Sequence, residues 1–269
     1  MRRASRGRLL SGLATFLAAV TFVLNMAAPA QADVIWRMDQ KANGLEQTFS
    51  PAYDYDGNGC YATAAISPDW RLNPGLGLGG GYPGVNCHDR AQLDNSNTYS
   101  REKCNNGWCA IMYASYFEKD QVGTCAPGAC AGHTHDFEHV IVWVQNNQVK
   151  YVSVSCHADW YSFGRNSIRF DPSGTHPKVV YHQDGGSTHC FRMANSGDDA
   201  VENVTGGWFY PRLVGWEGYN DVNQRNHFIY GSRAHFGSAS IKLGTDLIGD
   251  QLASAQAKID TPIAFNPYG

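Results

Sequence analysis

Between Gly132 and Glu138 the chain places two imidazoles, His133 and His135, beside two carboxylates, Asp136 and Glu138, with His139 directly behind and Asp120 upstream. Carboxylate oxygens are hard ligands suited to magnesium, calcium or manganese, and imidazole widens the choice toward manganese or zinc. The mixture points to a divalent cation. In an extended chain His133 and His135 share one face while Asp136 and Glu138 share the other. His133 and Asp136 therefore meet at one ion only if the backbone bends between them, and Gly132 with the small Thr134 permits such a bend. The bland alternative is a loop of solvated acids before a strand. Four ionisable groups within seven residues, in a chain with only 17% charged residues, favour the polar site.

Enzyme patterns fit less well. A zincin helix needs His, Glu and a second His spaced along one helix face, which this segment does not supply. The HTHD string resembles part of a metallo-hydrolase loop, whose further ligands would come from His157, His176, His182 or His189. No Gly-x-Ser-x-Gly elbow is present, and no cysteine is left over as a nucleophile if all eight pair. A secreted metal-dependent hydrolase is the alternative reading, and a non-lytic, lectin-like binding module is a third.

The elements that position these residues read mainly as β. WCAIMYASYF, from Trp108, reads as a buried strand opening at Glu118-Lys119-Asp120 into a polar loop. GHTHDFE reads as a loop feeding a second strand. Val140 to Val144 lack polar alternation, so that strand should be covered on both faces. Asn146-Asn147 then marks a hairpin turn, since asparagine tolerates positive φ. Residues 167–170 and 178–182 look like further strands. Residues 33–105 read as a loop-rich lobe with short strands at most. Helical periodicity is confined to residues 243–257, where Leu247, Ile248, Leu252 and Ala255 share a face. A single-domain β-sandwich with a few peripheral helices is the expected fold class.

The first 32 residues carry four arginines, then an apolar run, then Ala30-Gln31-Ala32, the order of an export signal. The domain is expected to span residues 33–269, in a secreted, extracellular protein. The whole chain has 21 basic and 24 acidic residues, and four of the basic ones lie in that leader. The remainder is distinctly acidic, which disfavours nucleic acid as a partner. All eight cysteines follow the leader, as expected of disulfides formed outside the cytosol. Pairing by proximity gives Cys60 with Cys87, Cys104 with Cys109, Cys125 with Cys130, and Cys156 with Cys190, although the count alone leaves the connectivity open.

GHTHDFEHVIVW, residues 132–143, resembles the heptapeptide Gly-His-Arg-His-Asp-Trp-Glu and following strand of the necrosis- and ethylene-inducing peptide-like proteins. AIMYASYFEKD, residues 110–120, is similar to that family's Ala-Ile-Met-Tyr-Ser-Trp-Tyr-Phe-Pro-Lys-Asp segment. Weaker similarity runs through THPKVVYH at 175–182, Thr188-His189 with Phe191-Arg192, and HFGSASIKL near the C-terminus. Cys60 and Cys87 stand where the family's common disulfide lies. The resemblance implies a sandwich of the kind shared with actinoporins and fungal lectins, in a cytolysin and virulence factor rather than an enzyme. Such a protein binds glycosylated sphingolipid head groups of plant plasma membranes, touches the membrane peripherally as a monomer, and damages it.

The same resemblance assigns a divalent cation (Mg, Ca or Mn) to Asp120, His133, Asp136 and Glu138, with His135 beside the ion or against the head group. Trp160, Tyr161 and Trp216 are candidates for aromatics at the rim. Departures are specific: Thr134 replaces the family's arginine, Phe137 its tryptophan and Glu118 its proline, and the Cys125–Cys130 loop inserts five residues between Asp120 and His133. Losing a guanidinium and an indole removes two groups that contact carbohydrate or phosphate well.

Overall fold

The computed structural model describes Met1 and residues 34–269. The expected export signal, residues 1–32, lies outside the described residues apart from Met1. Among the described residues nine strands form two sheets: β1 (Ala52–Tyr55), β2 (Asn97–Asn105), β3 (Trp108–Val122), β4 (Ala131–Gln145), β5 (Gln148–Cys156), β6 (Asp159–Gly164), β7 (Lys178–Gln183), β8 (His189–Met193) and β9 (Arg212–Val214). The larger sheet has the order β6-β5-β4-β3-β2-β9 and the smaller β1-β7-β8. Pairing is antiparallel except for β1 with β7 and β2 with β9. Among the described residues no helix is long and apolar enough to cross a membrane.

β3 and β4, 15 residues each, form the spine. Val140, Val142 and Val144 pack between the sheets with Tyr113, Phe117, Val179 and Tyr181. Ile141 and Trp143 point the other way, into a second core with Phe228, Phe236, Ile248 and Leu252. This double coverage is why the segment shows no polar alternation. Asn146 and Asn147, at φ 52° and 55°, close the tight turn into β5. The expected helix forms over Ile248–Gln256 and buries Ile248, Leu252 and Ala255.

Several local expectations are corrected. β2 is a nine-residue strand within the supposed loop-rich lobe. Its polar sequence disguised it, because Thr98 and Ser100 are buried and Thr98 meets Ser115 across the sheet at 3.1 Å. Residues 167–170 form no strand: Arg165–Ser167 is a 3-10 turn, and Phe170 makes a single bridge to Pro177. Glu118, Lys119 and Asp120 do not open into a loop but lie buried inside β3. Asn73 and Gln92 donate to the Glu118 carboxylate there, so the overlying loops replace water. GHTHDFE likewise belongs to β4 itself. All four disulfides follow the pairing by proximity.

Trp143 is fully buried, meets Phe265 edge-on at 5.4 Å and donates its indole N–H to Ser153 at 2.9 Å. Trp143→Ala is expected to cost about 3–5 kcal/mol of stability in denaturant unfolding. A loss below about 1 kcal/mol would contradict this account of the second core.

Candidate cation site

Asp120 and His133 are cross-strand partners of β3 and β4, so their side chains are neighbours on one face. Asp136, three residues beyond His133, would face away in a regular strand. The chain solves this at His135, whose φ of 62° breaks the pleat, helped by Gly132 at φ 129°. A Cβ at Gly132 would collide with the Asp120 carbonyl oxygen, so the strands close there only over glycine. The bend foreseen at Gly132 and Thr134 thus falls on Gly132 and His135.

As a result Asp120, His133 and Asp136 each offer one ligand atom, all within 4.8 Å of one another. Glu138, two residues along β4, lies in the same cavity, which has a volume of about 310 Å³. This cavity lies beyond Val140 and Val154, where the β4–β5 ladder ends; its other walls include Ser155, His157, Trp160, His189 and Lys242.

Each group is held from behind. Asp120 accepts from the His189 backbone N–H at 2.9 Å and from the His189 ring Nδ1 at 2.8 Å. Tyr181 donates its hydroxyl to Asp136 at 3.1 Å while its ring stacks on Phe117 at 3.7 Å. Ser155 donates to Glu138 and accepts the His139 N–H at 2.7 Å. His133 Nδ1 lies 2.8 Å from the His135 carbonyl, which can only accept. The proton therefore sits on Nδ1, and Nε2 is the lone-pair nitrogen available to a cation.

Burial, with the Asp120 charge next in weight, pushes Asp136 well above the usual carboxylate range. Glu138 is raised by burial and then by Asp136. Like charges enclosed in this way favour whatever neutralises them, either protons or a cation. The donor set of carboxylates and one imidazole fits a divalent cation of the magnesium, calcium or manganese type.

The structure does not bring the His135 ring to this cluster. Its Nδ1 lies 2.7 Å from the Tyr116 hydroxyl, and its ring packs 4.8 Å from His235 and 5.1 Å from Phe236 on the opposite face. Burial, then His235 and His133, lowers its pKa to about 4. Phe137 is buried against Tyr116 and Phe236, and Thr134 is exposed. Of the rim aromatics, Trp160 is a buried cavity wall and Tyr161 is exposed. Trp216 is no rim residue: it lines a separate cavity of about 480 Å³, with Arg101 and Arg225 stacked on its ring at 3.7 and 4.4 Å. That cavity is larger, but it lacks the converging ligand atoms.

Sequence reasoning missed the supports. His189 stood among four interchangeable histidines, and Tyr181 and Ser155 carried no signal beyond strand texture. The weaker family matches through residues 175–182, which include Tyr181, and at Thr188-His189 were the available hints.

Comparison with known proteins agrees with this architecture. Residues 43–255 match the family described as necrosis inducing protein (NPP1). NLP effector protein 3 of Phytophthora capsici is 31% identical over 152 residues, which is 55% of this chain and 61% of that relative. The match thus spans less than two thirds of the relative's length. The crystal structure of Necrosis and Ethylene inducing Protein 2, from the causal agent of cocoa's witches' broom disease, superposes with a TM-score of 0.66 at 27% identity, covering 84% of this chain and 97% of that one. NLPPya, solved in complex with glucosamine, shares the fold with a TM-score of 0.65 at 24% identity, covering 85% and 99%. On the family match over most of its length and on its two-sheet architecture, the chain belongs to the necrosis-inducing protein family.

Proposed function

We propose that this protein is exported, loses residues 1–32, and acts outside the cell as a monomeric, cation-dependent cytolysin rather than as an enzyme. Asp120, His133, Asp136 and Glu138 would hold a divalent cation, which would supply positive charge for the hydroxyls or phosphate of a glycosylated sphingolipid head group on plant plasma membranes. The observation that carries this reading is the convergence of two buried carboxylates, Asp120 and Asp136, with one oriented imidazole, His133, in a cavity that Glu138 also lines and that is large enough for a sugar unit. The amino-sugar complex of NLPPya supports the choice of a glycosylated ligand. Residues of this chain hold and orient the ligands, while the cation supplies charge neutralisation and hydroxyl coordination.

One observation favours a weaker or non-lytic binding activity. Thr134 and the buried Phe137 leave the site without the guanidinium and the indole that contact sugars and phosphates well.

Dye release from vesicles containing plant glycosylated sphingolipids separates these readings. Lysis that is abolished by chelator and restored by manganese supports the cytolysin, and binding without leakage supports the non-lytic module. Turnover of an ester, glycoside or phosphate would overturn both. Asp136→Asn is expected to abolish manganese binding and leakage together while leaving the fold intact by circular dichroism, since Asp136 touches the ion. Undiminished manganese affinity in that variant would remove the site assignment.

A pH dependence follows from the raised carboxyls. Without a cation the folded chain binds more protons at Asp136 and Glu138 than the unfolded chain does. Stability should therefore fall as pH rises above the ordinary values of 3.8 for Asp136 and 4.5 for Glu138. Thermal unfolding in chelator should show this decline, and added manganese should reverse it near neutrality. A chelated protein whose stability instead rises steadily through that window would contradict the buried, uncompensated carboxyl pair.

A further inference from the structure

We propose that the Cys156–Cys190 disulfide is a positioning element for the cation site, acting through the residue next to each cysteine. The inference rests on the cation reading above and adds what keeps that site in shape. Cys156 ends β5 in the larger sheet and Cys190 lies in β8 of the smaller, so the crosslink ties the two sheets together beside the cavity.

Its neighbours are the supports. Ser155, beside Cys156, holds Glu138. His189, beside Cys190, holds Asp120 through both its backbone and its ring. A chain of amides braces the far side of that ring: His189 Nε2 lies 3.3 Å from Asn58 Oδ1, Asn58 donates to Gln183 at 3.0 Å, and Gln183 donates to the Ser187 carbonyl at 3.2 Å. The terminal carbonyl can only accept, so both amides have one orientation and each ring nitrogen of His189 faces an acceptor.

The third observation is backbone strain. Directly after Cys156, His157 and Ala158 have φ of 50° and 65°, two consecutive non-glycine residues in the left-handed region, and both line the cavity. His157 is also pinned to Asp184 at 3.1 Å. Cys156, His157, Asp184 and Cys190 converge closely enough to suggest a metal group. With both sulfurs in one covalent bond, the cluster is instead a clamp holding a strained turn as the cavity wall. Cys104–Cys109 lies across the β2–β3 pair at the opposite end of β3, which makes it the natural control.

The test is manganese affinity, measured by calorimetry on the folded full-length oxidised protein. Cys156→Ala/Cys190→Ala is expected to weaken binding roughly tenfold or more, as loss of supporting contacts does elsewhere, whereas Cys104→Ala/Cys109→Ala leaves it unchanged. Ser155→Ala should weaken binding in the crosslinked protein but add little once the crosslink is gone, because the crosslink's hold on Glu138 runs through Ser155. Simple loss of stability would not produce that coupling. The proton on His189 Nδ1, seen by NMR in the wild type, should shift or broaden when the crosslink is removed. Manganese affinity within twofold of wild type in the Cys156/Cys190 variant, or full additivity with Ser155→Ala, overturns the inference. Should that variant fail to fold, Ser155→Ala and Asn58→Ala with the crosslink intact decide, and unchanged affinity in both overturns it. A wild type that takes up no manganese removes the cation reading itself, a result distinct from these.

Discussion

Asp120, Asp136 and Glu138 are buried together at one end of the β3–β4 pair, where like charges with little access to water repel strongly. That repulsion has to be met by donors, by protons or by a cation, and much of the surrounding structure is arranged to meet it. His189, Tyr181 and Ser155 each give a hydrogen bond to one of the three carboxylates. None of these donors comes from β3 or β4: two belong to the smaller sheet and one to β5. The site is therefore a product of the sandwich, and loosening the sheets from one another would loosen the carboxylates first.

The two cores explain how the molecule sustains such a feature. Trp143, Ile141 and their partners on one face, with Val140, Val142 and Tyr181 on the other, hold the middle of β4 rigidly in register. Beyond Val140 the strand loses its β5 neighbour and breaks its pleat at His135. Apolar burial thus anchors one half of a strand whose other half carries charge. The same division separates roles along GHTHDFE: His133 and Asp136 turn toward the cavity, while His135 and Phe137 join the apolar side against Tyr116 and Phe236.

Two of the disulfides bear on this end of the molecule. Cys125–Cys130 caps the tip of the β3–β4 hairpin a few residues beyond Asp120 and His133, and Cys156–Cys190 fixes the opposite wall. A sandwich whose smaller sheet has three short strands has limited apolar area with which to resist that internal repulsion. Covalent crosslinks resist it without adding charge.

Much was legible from the amino-acid order alone. The valine-rich run behind Glu138 declared a doubly covered strand, Asn146-Asn147 declared its turn, and an even set of cysteines behind an export-like leader declared disulfides. The crowding of His133, Asp136 and Glu138, with Asp120 upstream, declared a polar site, because ligand chemistry depends on residue type and these residues are close in the chain. The rest was settled by tertiary structure. β2 was hidden because its buried side chains are polar and find their partners only across the sheet. Asp120 reads from sequence as the open mouth of a strand rather than a buried position inside one, because nothing local shows that His189, 69 positions later, covers it. His135 could not be told from His133 by type or spacing. One backbone angle sends the two rings to opposite faces, and that angle is fixed by packing between segments distant in sequence.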